Sequence, residues 1–463
     1  MSSEVLEHSL ASLCLLVADC PHATPEWTAS GVVVLRNQNI KGGRLDLSAP
    51  SFTDEAHYLG RIRRAAPQEG DLVITREAPM GEVCQIPAGL KCCLGQRQVL
   101  LRPDPEKVDS RFLLYALQSP YLQHQIGWNE GTGSTVSNLR IPVLEALKVP
   151  TPSVATQREV ASVLGALDDR ITLLRETNAT LEAITQALFK SWFVDFDPVR
   201  AKAEGRARQD GERSGQPRMP QASGLPRPGA EAGAEAQGQP EGAIQGSMSA
   251  AEGRMPKAAM DAATAALFPD SFEESELGLV PKGWEIGQLQ DLLVLQRGFD
   301  LPAAERIEGG YPLIAASGPS GTHHIAMVQG PGVVTGRSGV LGKVFLTLED
   351  YWPLNTTLWV KEFKRATPCY AFELLRLLDS ASFNAGSAVP TLNRNHVHSL
   401  RYVLPPIELV KAYEGTALSI HQRVLENNRQ AQTLTQLRDT LLPRLISGQL
   451  RLPEVENLLE KAL

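Results

Sequence analysis

The sequence predicts an α+β protein of two similar globular domains, each followed by a long helix, the two helices paired as an antiparallel intramolecular coiled coil. Three observations lead there. Val160, Leu164, Leu167, Ile171, Leu174, Asn178, Leu181, Thr185, Leu188 and Trp192 recur at alternating steps of four and three, the a/d spacing of a helix seam. The stripe returns 253 positions later, in the same phase, as Tyr413, Ala417, Ile420, Val424, Asn427, Ala431, Leu434, Arg438, Leu441 and Leu445. Between the halves, residues 201–260 are rich in Gly, Ala, Pro, Gln and Ser and nearly free of branched or aromatic side chains. Such a segment buries too little surface to offset its ordering entropy. Two helices this apolar along one stripe must each find a partner, and each is the other's nearest candidate.

In chain order, residues 31–35 form a buried strand and residues 36–43 the exposed polar loop after it. Residues 70–76 form another strand, ended by a turn around Pro79 and Gly81, with a return at Val83. Residues 110–119 form a short amphipathic helix with Phe112, Leu113 and Leu117 inward. Pro150 and Pro152 exclude helix. The first long helix starts past them near Thr156, the expected cap, with Glu159 reaching back, and stops before Pro198. Roughly forty residues at 1.5 Å each make a rod of about 60 Å. Order resumes at Leu267, and Pro281, Gly283 and Trp284 open the second domain, with strands at 311–315, 332–335, 343–346 and 357–360 and a helix at 371–378. The second long helix follows Pro405 and Pro406. The expected boundaries are 1–152 and 263–404 for the globular domains, 153–198 and 405–450 for the helices, 199–262 for a disordered low-complexity linker and 451–463 for a tail.

The duplication extends beyond the helices. Gly133 and Gly386, Leu139 and Leu392, and Pro152 and Pro405 are each 253 positions apart. Upstream, Arg76 with Gly81 and Val83 matches Arg337 with Gly342 and Val344 at an offset of 261, the shift an insertion or deletion inside the globular part leaves.

Composition sets outer bounds. A chain of 463 residues exceeds a single core and suggests two or three domains. No run of eighteen apolar residues occurs and the start lacks a basic, then apolar leader, so a cytoplasmic protein is expected. The six cysteines lack any C-x-x-C pair and suit reduced, partly buried thiols. A formal charge of −7 gives no bulk attraction to nucleic acid, so a DNA binder of this balance needs local basic patches or a basic partner.

Several short motifs now combine in one order: Asp19-Cys20-Pro21-His22, Gly133-Ser134-Thr135, Trp192-Phe193 with Asp195-Phe196-Asp197-Pro198, Pro281 with Gly283-Trp284, and Leu441-Leu442-Pro443 with Leu445-Ile446-Ser447-Gly448. Together with the duplication, this resembles the DNA-specificity subunit of type I restriction-modification enzymes over nearly the whole chain except the linker. The resemblance implies two target-recognition domains that each read one half of a split double-stranded DNA site. It implies helices that hold the domains apart and dock the methyltransferase subunits, two of them, with restriction/translocase subunits in the full complex. It further implies a non-catalytic chain without a cofactor of its own, S-adenosylmethionine, ATP and Mg belonging to the partner subunits.

DNA reading needs side chains that reach base edges, Arg to guanine and Asn or Gln to adenine. The candidates are Arg36, Asn37, Gln38, Asn39, Lys41 and Arg76 in the first half, and Arg337, Lys343, Asn355, Asn393, Arg394 and Asn395, beside His396, in the second. Arg76 and Arg337 equally suit a structural role, since they recur in domains that should read different sequences. Phosphate contact competes with base contact for all of them. For helix pairing the candidates are Leu167, Ile171, Leu174, Asn178, Leu181, Trp192, Tyr413, Val424, Asn427, Leu434 and Leu445. An antiparallel register with Asn178 opposite Asn427 also sets Trp192 opposite Tyr413 and Val160 opposite Leu445; buried Asn at a seam layer is a register device.

Enzymatic patterns are incomplete. The stretch from Gly336 to Lys343 has both ends of a P-loop wrong. Gly131-Thr132-Gly133 lacks a third glycine, and Asp197-Pro198-Val199 is not the end of an adenine-methyltransferase motif. Asp350, Glu362 and Lys364 have the residue types of a metal-dependent nuclease without its context. His22, His323, His324, His396 and His398 lack spacing to complete a metal site. The alternative reading is a coiled-coil protein-interaction scaffold that does not bind DNA.

Overall fold

The computed structural model describes residues 6–128, 138–214, 260–378, 391–450 and 454–455. The two Gly-Ser motifs at Gly133 and Gly386, linker residues 215–259 and the end of the tail lie outside them. The chain forms two compact units, one of residues 1–177 with 427–463 and one of residues 178–426. The units divide both long helices, whereas the sequence suggested boundaries at their ends.

In the first unit, a four-stranded antiparallel sheet runs in the order Cys14–Asp19, Gln98–Pro103, Leu72–Thr75, Val83–Gln85. Leu72–Thr75 is buried at every position, as expected of a central strand read from an unbroken apolar run. The helix Ser110–Gln118 is capped by Asp109, whose carboxylate accepts from the Phe112 N–H at 2.9 Å, and buries Phe112, Leu113 and Leu117. A second sheet orders Ser51–Thr53, Val32–Leu35, Cys92–Leu94; its middle strand is antiparallel to the first and parallel to the last. Glu7–Ser9 pairs with Lys148–Pro150.

The second unit repeats this plan. Its four-stranded sheet, Leu293–Arg297, Thr357–Phe363, Gly332–Gly336, Val344–Thr347, has the same chain-order permutation of first, fourth, second, third. Its three-stranded sheet, Gly318–His323, Tyr311–Ala315, Trp352–Pro353, repeats both the order and the mixed strand directions. Glu285–Gln288 pairs with Arg401–Leu404 as the short strands do in the first unit.

Both long helices span forty residues, Val154–Phe193 and Ile407–Ile446. The first is capped by Ser153, not Thr156: the Ser153 Oγ accepts from the Thr156 N–H at 3.2 Å, and the last non-helical residue after Pro152 lies three positions earlier than the apolar phase indicated. It ends at Phe193, and Phe196 turns the chain with φ +55. The linker also starts later than expected. Asp197–Ser214 is helical, with Pro198 accommodated in a first turn that needs no N–H from it, and Val199 is buried in the core.

Every stripe position is buried except Leu181, Leu188, Ile420 and Arg438, which are half-buried. In the first unit Val160, Leu164, Leu167, Ile171 and Leu174 share one core with Ala431, Leu434, Leu441 and Leu445. There Asp168 accepts from Arg438 Nη1 at 2.7 Å, Arg44 Nη2 at 3.3 Å and the Tyr115 hydroxyl at 2.9 Å. In the second unit the Asn178 Nδ2 donates to the Val424 carbonyl and the Tyr413 hydroxyl to the Thr185 carbonyl, each at 3.2 Å. Tyr413 lies in an aromatic cluster with Phe189, Trp192 and Phe193. Among the described residues, no helix is long and apolar enough to cross a membrane. All six cysteines are free thiols; burial pushes Cys84 and Cys92 up to about 12 and Cys93 to about 11, which keeps them protonated and unreactive.

Candidate nucleic-acid interface

The two domains match residue by residue at one corner of the four-stranded sheet. Asp19 stands beside Val99 and Val99 beside Ile74; in the second domain Arg297 stands beside Leu358 and Leu358 beside Thr335. Two residues past Ile74 and Thr335 the chain leaves the sheet at Arg76 and Arg337. The Arg76 N–H donates to the Arg97 carbonyl at 2.8 Å, and the Arg337 N–H to the Thr356 carbonyl at 2.9 Å. Their own carbonyls accept from the Leu139 and Leu392 N–H groups at 2.9 and 2.8 Å. The turn then needs a left-handed residue, supplied by Gly81 at φ +84 and Gly342 at φ +81. The Arg-x4-Gly repeat is therefore a backbone device that pins the chain just ahead of each long helix.

The Arg76 side chain serves the same purpose. Its Nε donates to the Leu139 carbonyl at 2.9 Å, Nη1 to Asp19 at 3.0 Å and Nη2 to Asn138 at 3.2 Å, leaving 12% of it exposed. Its structural alternative is the one the contacts favour. Arg337 reaches the Asn355 carbonyl at 3.5 Å. On the far side of Asp19, His22 Nε2 approaches Oδ2 at 3.0 Å with its side chain 64% exposed. In the second domain Arg297 pairs with Asp300, also three residues on, at 3.3 Å, and Asn355 Nδ2 donates to the same carboxylate.

The expected loop at 36–43 is a 3-10 turn, Asn37–Asn39, followed by the small hairpin Ile40–Lys41 with Arg44–Leu45. Arg36, Gln38 and Lys41 are exposed, and the Arg36 guanidinium sits 5.4 Å from the Trp27 ring centre. Asn37 is half-buried and donates to the Glu77 carbonyl. Asn39 is withdrawn from the surface: it is 3% exposed, its Oδ1 accepts from the Arg36 N–H at 2.9 Å and its Nδ2 donates to the Asp46 carbonyl at 2.9 Å. A buried amide bonded to the backbone at both ends is out of reach of a base edge. In the second domain Asn393, Arg394, Asn395 and Lys343 are exposed and Asn355 is half-buried. Asn393 caps the helix Arg394–His398, its side chain accepting from the Asn395 N–H at 2.9 Å.

Three of the histidines and acids considered for metal have other work. His398 Nε2 accepts from the Leu295 N–H at 2.8 Å, His323 is buried against Trp352, and Asp350 accepts from the Gly330 N–H at 2.9 Å. Among the described residues no group of three His, Cys, Asp or Glu could hold a metal ion. The sequence marks Asp19 and His22 only as part of a motif and singles out neither Arg297 nor Asp300. Each pair joins the last residue of a matching strand to the residue three on, and the offset of 278 that aligns them becomes visible only through strand register.

A duplicated strand-rich domain with an equivalent polar corner, each copy joined to a forty-residue helix, defines the class. Residues 31–183 match the family described as the type I restriction modification DNA specificity domain. The chain resembles the specificity subunits of type I restriction enzymes along most of its length. It is 28% identical over 358 residues to the HindI specificity subunit of Haemophilus influenzae, covering 69% of this chain and 73% of that one. It is 19% identical over 414 residues to the MjaIX specificity subunit of Methanocaldococcus jannaschii, covering 84% and 79%. Its fold is similar to the crystal structure of the type I restriction-modification S subunit from M. genitalium, with a TM-score of 0.56, 15% identity and 95% of each chain covered.

Proposed function

We propose that this chain is the DNA-recognition subunit of a type I restriction-modification complex, with each strand-rich domain reading one half of a bipartite double-stranded DNA site. The observation that carries the reading is the polar corner built twice on one backbone frame, with different side chains at matched positions. Two readers of different half-sites need a common scaffold and divergent chemistry, whereas a scaffold that binds only proteins has no use for either. With a net charge of −7 the chain gathers phosphates locally, through exposed groups such as Arg36, Lys41, Lys343 and Arg394.

In this reading the two long helices pair antiparallel within the chain, with Trp192 near Tyr413. Support comes from the Asn178–Val424 bond, the Trp192–Tyr413 ring distance of 6.2 Å and the Asp168–Arg438 ion pair. A stiff helical pair suits a spacer because half-site separation on DNA is a geometric quantity. The helices also present the docking surface for two methyltransferase subunits, which carry S-adenosylmethionine, while restriction/translocase subunits bring ATP and Mg. This chain performs no chemistry itself and works in the cytoplasm.

Adenine-methylation sequencing of a host carrying this chain with its cognate methyltransferase subunit tests the reading. A split motif is the required result, and exchanging residues 1–152 for another such domain changes one half of it only. An unsplit motif refutes two-domain reading.

A further inference from the structure

We propose that the long helices are keyed to their domains: each joint between a globular domain and the helices accepts a domain whose own helix brings the matching polar group, and disfavours the other domain. The key on the long helices is one repeated position, Asp168 in the first joint and His421 in the second, 253 positions apart. The keying is a property of the joints and does not depend on what the domains bind.

Each joint is built from one domain helix and both long helices. The domain helix is Ser110–Gln118, after the N-cap Asp109, in the first unit and Pro368–Leu377, after the N-cap Thr367, in the second, an offset of 258. Tyr115 and Glu373 are equivalent at that offset, and each bonds to a long helix. Thr185 and Arg438 are equivalent at the offset of 253. In the first joint the carboxylate belongs to a long helix. Asp168 accepts from the Tyr115 hydroxyl and Arg44 Nη2 of the domain and from Arg438 Nη1 of the other long helix. In the second joint the carboxylate belongs to the domain. Glu373, 1% exposed, accepts from Thr185 Oγ1 at 3.5 Å and from Arg376 Nη1 at 3.3 Å. Acid and donor have changed sides.

His421 fits that exchange. It is 7% exposed, packs edge-on against the Phe372 ring at 5.5 Å, and its Nε2 has no hydrogen-bond partner among the described residues. Burial, and less so Arg376, hold it down to about 4, so the imidazole is neutral at pH 7. Arg376 lies 5.1 Å over Phe372 and pairs with Glu373, while the other charged groups around this joint, Glu182 and Glu414, are acidic. A carboxylate at position 421 would be buried among acids and would compete with Glu373 for Arg376. At position 168 the converse holds: an imidazole there leaves Tyr115 and Arg44 without their acceptor. The first domain placed at the second joint therefore brings two donors to a neutral ring, and the second domain placed at the first brings Glu373 to Asp168. Apolar side chains would hold both joints at least as firmly, whereas polar groups that differ between the joints add discrimination between domains.

The test is calorimetry of the full chain, without DNA. His421→Asp lowers the melting temperature of the second unit by roughly 5 °C or more, and about half of that loss or more disappears when Glu373→Gln is also present. His421→Phe, which fills the site without charge, shows no such coupling to Glu373→Gln. A full chain carrying the first domain in both places reverses the sign: there His421→Asp raises the melting temperature, because Tyr115 and Arg44 of the second copy gain an acceptor. The keying is overturned if His421→Asp costs the same with and without Glu373→Gln, or if it also lowers the melting temperature of the chain with two first domains. Should that chain fail to accumulate with and without His421→Asp, the coupling to Glu373→Gln decides. A wild-type complex that gives no split methylated motif defeats the recognition reading and leaves these melting results untouched.

Discussion

Asp168→Ala probes how the first unit is fastened to its helices. The carboxylate accepts from Arg438 at 2.7 Å, Arg44 at 3.3 Å and Tyr115 at 2.9 Å, and its side chain is 19% exposed against 21% for Arg438 and 31% for Arg44. Breaking a fully buried pair costs about 3–5 kcal/mol, because an uncompensated charge stays behind. Here one-fifth exposure lets water reach both arginines, and Arg438 keeps Asp439 at 2.7 Å, so the expected loss is about 2–3 kcal/mol. For a unit of this size that corresponds to roughly 5–10 °C in the first unit's melting temperature. Calorimetry of the full chain reads it, with hydrogen exchange of residues 110–118 confirming which unit has loosened. The neighbouring Asp169 supplies the control: its side chain is 69% exposed and its pair with Arg111 faces solvent, so Asp169→Asn costs about 0.5 kcal/mol or less. A loss below about 0.5 kcal/mol for Asp168→Ala, or equal losses for the two variants, refutes the reasoning that burial and triple acceptance make this carboxylate a fastener.

Leu164→Ala, at a position with no exposure in the first core, costs about 2–5 kcal/mol in urea denaturation. Tyr413→Phe gives up one buried hydrogen bond, to the Thr185 carbonyl, and costs about 1 kcal/mol, while Tyr413→Ala also strips the ring contacts with Phe189, Trp192 and Phe193 and costs about 3–5 kcal/mol. Gly342→Ala meets no neighbouring atom, so its cost of about 1–2 kcal/mol in the same measurement comes from φ +81 alone. His421 is held down to about 4 by burial and, less, by Arg376. The unfolded chain takes up this proton near its ordinary value of 6.5 and the folded chain only near 4, so stability is full above that window and falls as pH drops through it, by up to about 3 kcal/mol. Glu373, raised by burial, contributes the opposite slope. The difference between wild type and His421→Phe across pH 4–6.5 therefore isolates the histidine, and parallel curves for the two proteins would count against it.

Of the DNA-facing candidates, residue type alone separated the exposed from the structural poorly. Asn39 and Gln38 are adjacent polar residues in one loop, yet Asn39 is buried with both amide ends bonded and Gln38 is exposed. Nothing in their types distinguishes them, because the turn geometry at 37–39 decides which one points inward. Arg76 illustrates the converse. Its recurrence as Arg337 was visible at once, and so was its structural alternative, but the two bonds that tie it to Leu139 join residues 63 apart.

The sequence by itself determined the two long helices, their buried stripes, the duplication and most strands, since all of these rest on local periodicity and on a constant offset between the halves. Helix ends, the helical continuation through Val199 and the partition into units were set by packing, where a cap or a single buried valine outweighs composition. The equivalence of Asp19 with Arg297 and of His22 with Asp300 belongs wholly to the tertiary structure. Insertions had shifted the offset from 253 to 261 and then 278, and only hydrogen-bonded register across neighbouring strands restores which residue stands where.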